Sequence, residues 1–147
     1  MNDTELSFFV EDLEFSLPLA ESQLTRWLSA LAAQHNHSLG ALNYIFCSDE
    51  YLHGINVEYL DHDTYTDIIT FDGSEEEGLL EGDIFISIER VQENASSFGV
   101  EFQQEWLRVM AHGLLHLCGF GDKSDQEAKT MREEEDKAIA LFQSTVQ

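Results

Sequence analysis

Apolar positions along the chain follow two periods. In residues 20–36, AESQLTRWLSALAAQHN, Leu24, Trp27, Leu28 and Leu31 recur at i, i+3, i+4 and i+7, which predicts an amphipathic helix with one core-facing stripe. The preceding LSFFVEDLEFSL contains strand-like apolar stretches that stop before Pro18. ALNYIFCS, 41–48, alternates as a strand, and DEYLHGINVEYL begins as a short helix. TDIITFDG, 66–73, is rich in β-branched residues and predicts a strand closed by Asp-Gly. The acidic SEEEGLLEG reads as an exposed loop, and GDIFISIERV, 82–91, as a second strand running into a helix that lasts to about residue 98. A connection this short fits a hairpin or neighbouring strands better than a crossover with its own helix.

From Glu101 to Cys118 the apolar residues fall on nearly every side of the predicted helix, as expected of a central, buried one. Gly119 supplies a left-handed stop. Ser124 with Glu127 forms a capping box that opens a last helix carrying Met131, Ala138, Leu141 and Phe142. The predicted class is α+β: a small mixed sheet packed with helices around a central buried helix, in a single domain over 1–147.

That helix carries the candidate chemistry. His112 and His116 stand four residues apart, so both imidazoles project from one side within reach of one ion. Gly119 ends the helix, Gly121 lets the chain fold back, and Asp122 returns a carboxylate to the same side. Two nitrogens and one oxygen, with a position left for water, match a catalytic rather than a structural zinc site. The competing reading is two hydrogen-bonded core histidines. Placement favours metal, because burying two imidazoles in the most apolar helix carries a desolvation cost that coordination offsets. His35, His37, His53 and His62 stand in polar surroundings and read as solvated. The zinc-protease pattern places a glutamate directly after the first histidine, and here that residue is Gly113, which disfavours a glutamate-assisted peptidase.

Charge narrows the partners. The net charge is −22, with 29 acidic and 7 basic residues, and the Lys and Arg positions are scattered. A generic polyanion binder clusters its cations, so any RNA contact has to be local, metal-assisted or made in strong salt. Cys47 and Cys118 are too few and too far apart for a disulfide scaffold and read as reduced and buried. The N-terminus has no basic start followed by an apolar run, and no segment reaches the length of a membrane span, so a cytoplasmic protein without membrane contact is expected.

Three ordered blocks resemble the YbeY-type single-strand endoribonucleases, also described as rRNA maturation factors. His112, Gly113, Leu115, His116, Leu117, Gly119 and Phe120 stand in step with the family's H-G-x-L-H-L-x-G-[YF]-D-H. INVEYLDHDTYTDIITF, 55–71, followed by Gly82, Asp83 and Ile84, resembles its upstream stretches. The resemblance implies an α+β domain binding one zinc per chain and cleaving single-stranded RNA in 16S rRNA 3′-end maturation and ribosome quality control. Its partners would be ribosomal RNA and the small ribosomal subunit. It carries His112 and His116 over as metal ligands; no catalytic side chain is assigned, and the water on the metal is the expected reacting group.

This chain departs from that pattern twice. The family's third histidine falls on Asp122, making the set two imidazoles and a carboxylate, with Asp125 the nearby alternative. The carboxylate should admit manganese or iron more readily. The family's arginine upstream falls on Leu60, which removes a group able to stabilise phosphoryl charge. Lys123 is a candidate substitute, and Asp67 a candidate partner for a ligand histidine. Two other classes stay open: a hydrolase of peptides or small substrates, and a non-catalytic ribosome-assembly factor.

Overall fold

Continuous apolar runs such as LNYIFC and DIFIS belong to strands covered on both faces. In the computed structural model, which describes residues 5–145, they lie at the centre of a mixed sheet. The elements in chain order are β1 (Ser7–Val10), α1 (Glu21–Gln34), β2 (Ser38–Cys47), α2 (Asp49–Leu60), β3 (Ile68–Asp72), β4 (Leu79–Ser87), α3 (Ile88–Phe98), α4 (Phe102–Leu117) and α5 (Asp125–Thr145). The strand order is β1-β2-β4-β3; β2 runs parallel to both its neighbours, and β3 joins β4 antiparallel as an edge strand. The α+β expectation is met.

The two-residue period of the strands sorts side chains between two cores. Leu42, Tyr44, Phe46, Ile84 and Ile86 face the larger one, with Leu24, Trp27, Leu28, Trp106, Met110 and Leu114 of the helices. Cys47, Ile69, Phe71 and Phe85 face the other side, where Leu52 and Ile55 of α2 cover them. Two buried hydrogen bonds fasten helices to this frame. Tyr44 donates from its hydroxyl to the carbonyl of Met110 at 2.9 Å, and Trp27 donates from its indole to the carbonyl of Ala138 at 2.8 Å.

Several boundaries differ from the sequence reading. Helix α2 is not short: it runs to Leu60 and stops at Asp61 in the left-handed region, φ 57°. Ser48 caps its start, accepting from the Tyr51 N–H at 3.0 Å. β2 starts at Ser38 and β4 at Leu79, because Ser38 and Leu39 pair with Leu79 and Leu80. The acidic segment is therefore exposed only up to Glu77. At Gly82, φ is +144° and a Cβ would sit 2.1 Å from the Phe71 carbonyl oxygen, so glycine lets β3 and β4 meet. Cys47 is buried, but Cys118 is only half-buried. No helix among the described residues is long and apolar enough to cross a membrane.

Candidate metal centre and cleft

Helix α4 is buried on most of its surface but not all round. Trp106, Val109, Met110, Ala111, Gly113, Leu114 and Leu115 are enclosed. Glu105, Arg108, His112 and His116, at i, i+3, i+7 and i+11, form a polar stripe along an open cleft of about 590 Å³. β3, the end of α3 and α5 complete its walls. Gly113 faces the sheet, where a Cβ would lie 2.9 Å from Cγ2 of Ile84 and 3.0 Å from Cδ1 of Ile68. A glutamate at this position would drive its carboxylate into the apolar sheet face, which is why the protease arrangement has no place on this helix.

The turn after α4 delivers Asp122. Gly119 adopts φ +108°. Its N–H donates to His116 and that of Phe120 to Leu115, both at 3.0 Å, the paired bonds of a Schellman turn. Ser124 and Glu127 form the expected capping box: Ser124 Oγ accepts from the Glu127 N–H at 3.1 Å, and the Glu127 carboxylate accepts from the Ser124 N–H at 3.2 Å. Gly121 lies against this carboxylate, so close that a Cβ would meet it at 2.9 Å. Asp122 Oδ2 consequently lies 3.3 Å from Nε2 of His112 and 3.6 Å from Nε2 of His116.

The two imidazoles stand edge to face, their centroids 4.9 Å apart. One ligand atom from each of His112, His116 and Asp122 falls within 4.8 Å of the others, and no second group of this kind occurs among the described residues. This spacing and donor set fit one cation at tetrahedral bond lengths of about 2.0–2.2 Å. Asp125 is the first residue of α5 and lies outside the group.

Behind the cluster stands a residue the sequence reading missed. Glu135, 5% exposed, accepts from Nδ1 of His112 at 2.7 Å, which leaves Nε2 directed at Asp122. Arg108 donates to Glu135 at 3.1 Å and to Asp136 at 2.7 Å, and Arg132 approaches Glu135 at 3.7 Å. A signal was present. Met131, Glu135, Ala138 and Phe142 share the buried stripe of α5 at i, i+4, i+7 and i+11, yet Glu135 reads as one of a run of solvated acids. Asp67 lines the cleft but makes no hydrogen bond to either imidazole among the described contacts; its carbonyl accepts from the Ser87 N–H at 3.0 Å.

Electrostatics favour a cation. Burial works against a charged His112, but the hydrogen bond and charge of Glu135 outweigh it and raise its pKa above the ordinary value. Burial also raises the pKa of Asp67 and of Glu105, the latter against the opposing charge of Arg108. Asp67, Asp72, Glu105, Asp122 and Glu135 face only Arg108 and Arg132 across the cleft.

The remaining candidates lie elsewhere. Leu60 lines a neighbouring hollow with Asn56, His62 and Thr64, so the guanidinium groups of this cleft come from α4 and α5 instead. Lys123 is exposed and tied to Glu127 through its backbone N–H. Of the four histidines read as solvated, His62 is exposed and the other three are half-buried. His35 packs edge-on against Phe120 at 5.1 Å, His53 stacks on Tyr65 at 4.1 Å, and His37 is half-buried.

A mixed sheet under a helix that offers two imidazoles, joined by a carboxylate from its exit turn at an open cleft, defines an α+β protein with a hydrolase-type candidate metal centre. The chain belongs to the Endoribonuclease YbeY family, whose profile matches residues 7–143. A relative named Endoribonuclease YbeY from Flavobacterium johnsoniae is 54% identical over 137 residues, covering 91% of this chain and 95% of its own. Another of that name, from Cytophaga hutchinsonii, is 48% identical over 141 residues, 96% of this chain and 98% of its own. A solution structure of a Thermotoga maritima protein superposes with a TM-score of 0.67 at 26% identity, over 93% of this chain and 88% of that one.

Proposed function

We propose that this protein is a metal-dependent endoribonuclease of single-stranded RNA, acting on ribosomal RNA of the small subunit in 16S 3′-end maturation and ribosome quality control, in the cytoplasm. The observation that carries this reading is the convergence of His112, His116 and Asp122 in an open cleft with Glu135 behind His112. Membership of a family whose relatives bear the name endoribonuclease supplies the substrate class.

In this reading His112 and His116 offer Nε2 and Asp122 offers Oδ2 to one divalent ion, zinc in the first instance and manganese or iron as substitutes. A bound divalent ion supplies Lewis acidity toward a phosphoryl oxygen and a nucleophile at neutral pH. The chain's own groups do the rest. Glu135 holds the His112 proton on Nδ1 and fixes the ring. Arg108 neutralises Glu135 while remaining anchored to Asp136. Arg132, 3.7 Å from Glu135 and with its side chain 57% exposed, can also turn toward a backbone phosphate. The acidic cleft repels RNA until a cation offsets its charge, so substrate and metal are expected to bind cooperatively.

The test compares single-stranded RNA, duplex RNA and casein as substrates for metal-loaded and chelator-treated protein. Cleavage of single-stranded RNA alone, abolished by chelation and restored by zinc or manganese, is the expected result. Casein cleavage would replace the reading with a peptidase. Binding to ribosomal particles without cleavage under any metal or salt condition would replace it with an assembly factor.

A further inference from the structure

We infer that Phe98, the last residue of α3, is a nucleobase-stacking platform that gives the cleft its preference for unpaired RNA; this rests on the nuclease reading above. Phe98 is the only Phe, Tyr or Trp among the described residues that line the cleft, and it is 58% exposed. It continues the stripe of Val91 and Ala95, both buried, but where it emerges the cleft has opened and the ring meets solvent. Gly99, at φ +69°, ends the helix directly after it and turns the chain into α4.

Charge explains why such a platform is needed. Most nucleic-acid binders draw affinity from Lys and Arg contacts to phosphates. With a net charge of −22, and Arg108 and Arg132 shared with Glu135, that source is small here. Affinity then has to come from the bases, and stacking on an aromatic face is available to every base provided it is unpaired. A duplex hides those faces, so one ring links affinity to strand state.

The same cleft offers groups for base edges. Hydrogen bonds from the Ser87 N–H to the Asp67 carbonyl at 3.0 Å and from the Gly73 N–H to the Glu81 carbonyl at 2.9 Å turn the odd-numbered residues of β3 toward β4. The N–H and C=O of Ile68 and Thr70 therefore point to the open edge, where the Ile68 carbonyl also accepts from the Thr66 hydroxyl at 3.5 Å. Asn94, one turn before Phe98, adds an amide on the same wall. These groups lie along one cleft with the candidate metal ligands.

The experiment uses zinc-loaded wild type, Phe98→Ala and Phe98→Trp, with a short single-stranded RNA, its duplex and a strand carrying abasic positions. Steady-state cleavage and fluorescence anisotropy are both read. The expected result is a KM and Kd for the intact strand raised about 5- to 100-fold in Phe98→Ala, a smaller change in kcat, recovery in Phe98→Trp, and unchanged zinc affinity. The abasic strand should lose as much against wild type, with no further loss against Phe98→Ala. Circular dichroism checks folding, which a substitution at an exposed ring should leave intact. Wild-type KM and Kd in Phe98→Ala, with cleavage still present, would overturn the platform and leave the nuclease reading standing. Failure of the wild type to bind or cut RNA would overturn both.

Discussion

Nδ1 of His112 and Oε2 of Glu135 lie 2.7 Å apart, and this contact decides which nitrogen of His112 faces the cleft. Replacing Glu135 with Ala should free the ring and weaken zinc binding about 10- to 100-fold, with Gln intermediate because its carbonyl still accepts. Competition titration against a chromophoric chelator measures it. Unchanged affinity in Glu135→Ala would mean that the imidazole is held by its packing alone.

Asp122 sets the character of the centre. Asp122→Ala should weaken metal binding at least as much as loss of Glu135, since a donor atom rather than its support is removed. Asp122→His supplies a third imidazole from the same turn, and should retain zinc while losing relative affinity for manganese, a carboxylate-preferring ion. Isothermal titration with both ions checks the order.

Acid should stabilise the metal-free protein. His112 has a raised pKa in the fold, so its contribution is complete below the ordinary histidine value of about 6.5 and is lost as pH rises through the folded value. Glu105 is also raised, by burial, so its penalty builds as pH climbs above the ordinary carboxylate value of about 4.5 and is complete above its folded value. Both trends lower stability on the alkaline side. Thermal unfolding in chelator should show Tm falling from about pH 5 to 8, with Glu105→Gln reducing the acidic part of the fall. A Tm that rises over that range would contradict both assignments.

Two helical glycines should respond oppositely to alanine. At Gly54 in α2 a Cβ has nothing within 4 Å, and Ala should stabilise by about 1 kcal/mol through the unfolded chain and helix propensity. At Gly113 the contacts at 2.9 and 3.0 Å with Ile84 and Ile68 impose overpacking of about 1–3 kcal/mol, which exceeds the propensity gain. Urea denaturation of the two variants should shift in opposite directions.

Salt should help. At a net charge of −22, self-repulsion opposes compaction, and raising KCl from about 0.1 M to about 1 M shortens the Debye length from about 10 Å to about 3 Å. Tm should rise over that range, and a flat response would show that self-repulsion does not limit the stability of this fold.

How much of this was legible follows from what each signal depends on. Caps, glycine stops and apolar periods are local, so α1, α4, the Gly119 turn and the Ser124 capping box could be read from the sequence. Strand starts depend on partners far along the chain, and Leu79 and Leu80 become strand only because Ser38 and Leu39 lie beside them. His112, His116 and Asp122 stand within one turn and its exit, close enough to infer their convergence. Glu135 and the Arg108 contacts join α4 to α5 across 23 to 28 residues. No spacing rule spans that interval, although the buried stripe of α5 marked Glu135 as enclosed.

The hydrogen bonds from Tyr44 to Met110 and from Trp27 to Ala138 pin α4 and α5, which carry His112, His116 and Glu135, to β2 and α1. Neither contact involves a candidate ligand, so the frame is expected to assemble without an ion. An ion bound at His112, His116 and Asp122 would then be expected to exchange on the folded molecule, its identity following the metals in supply at the time.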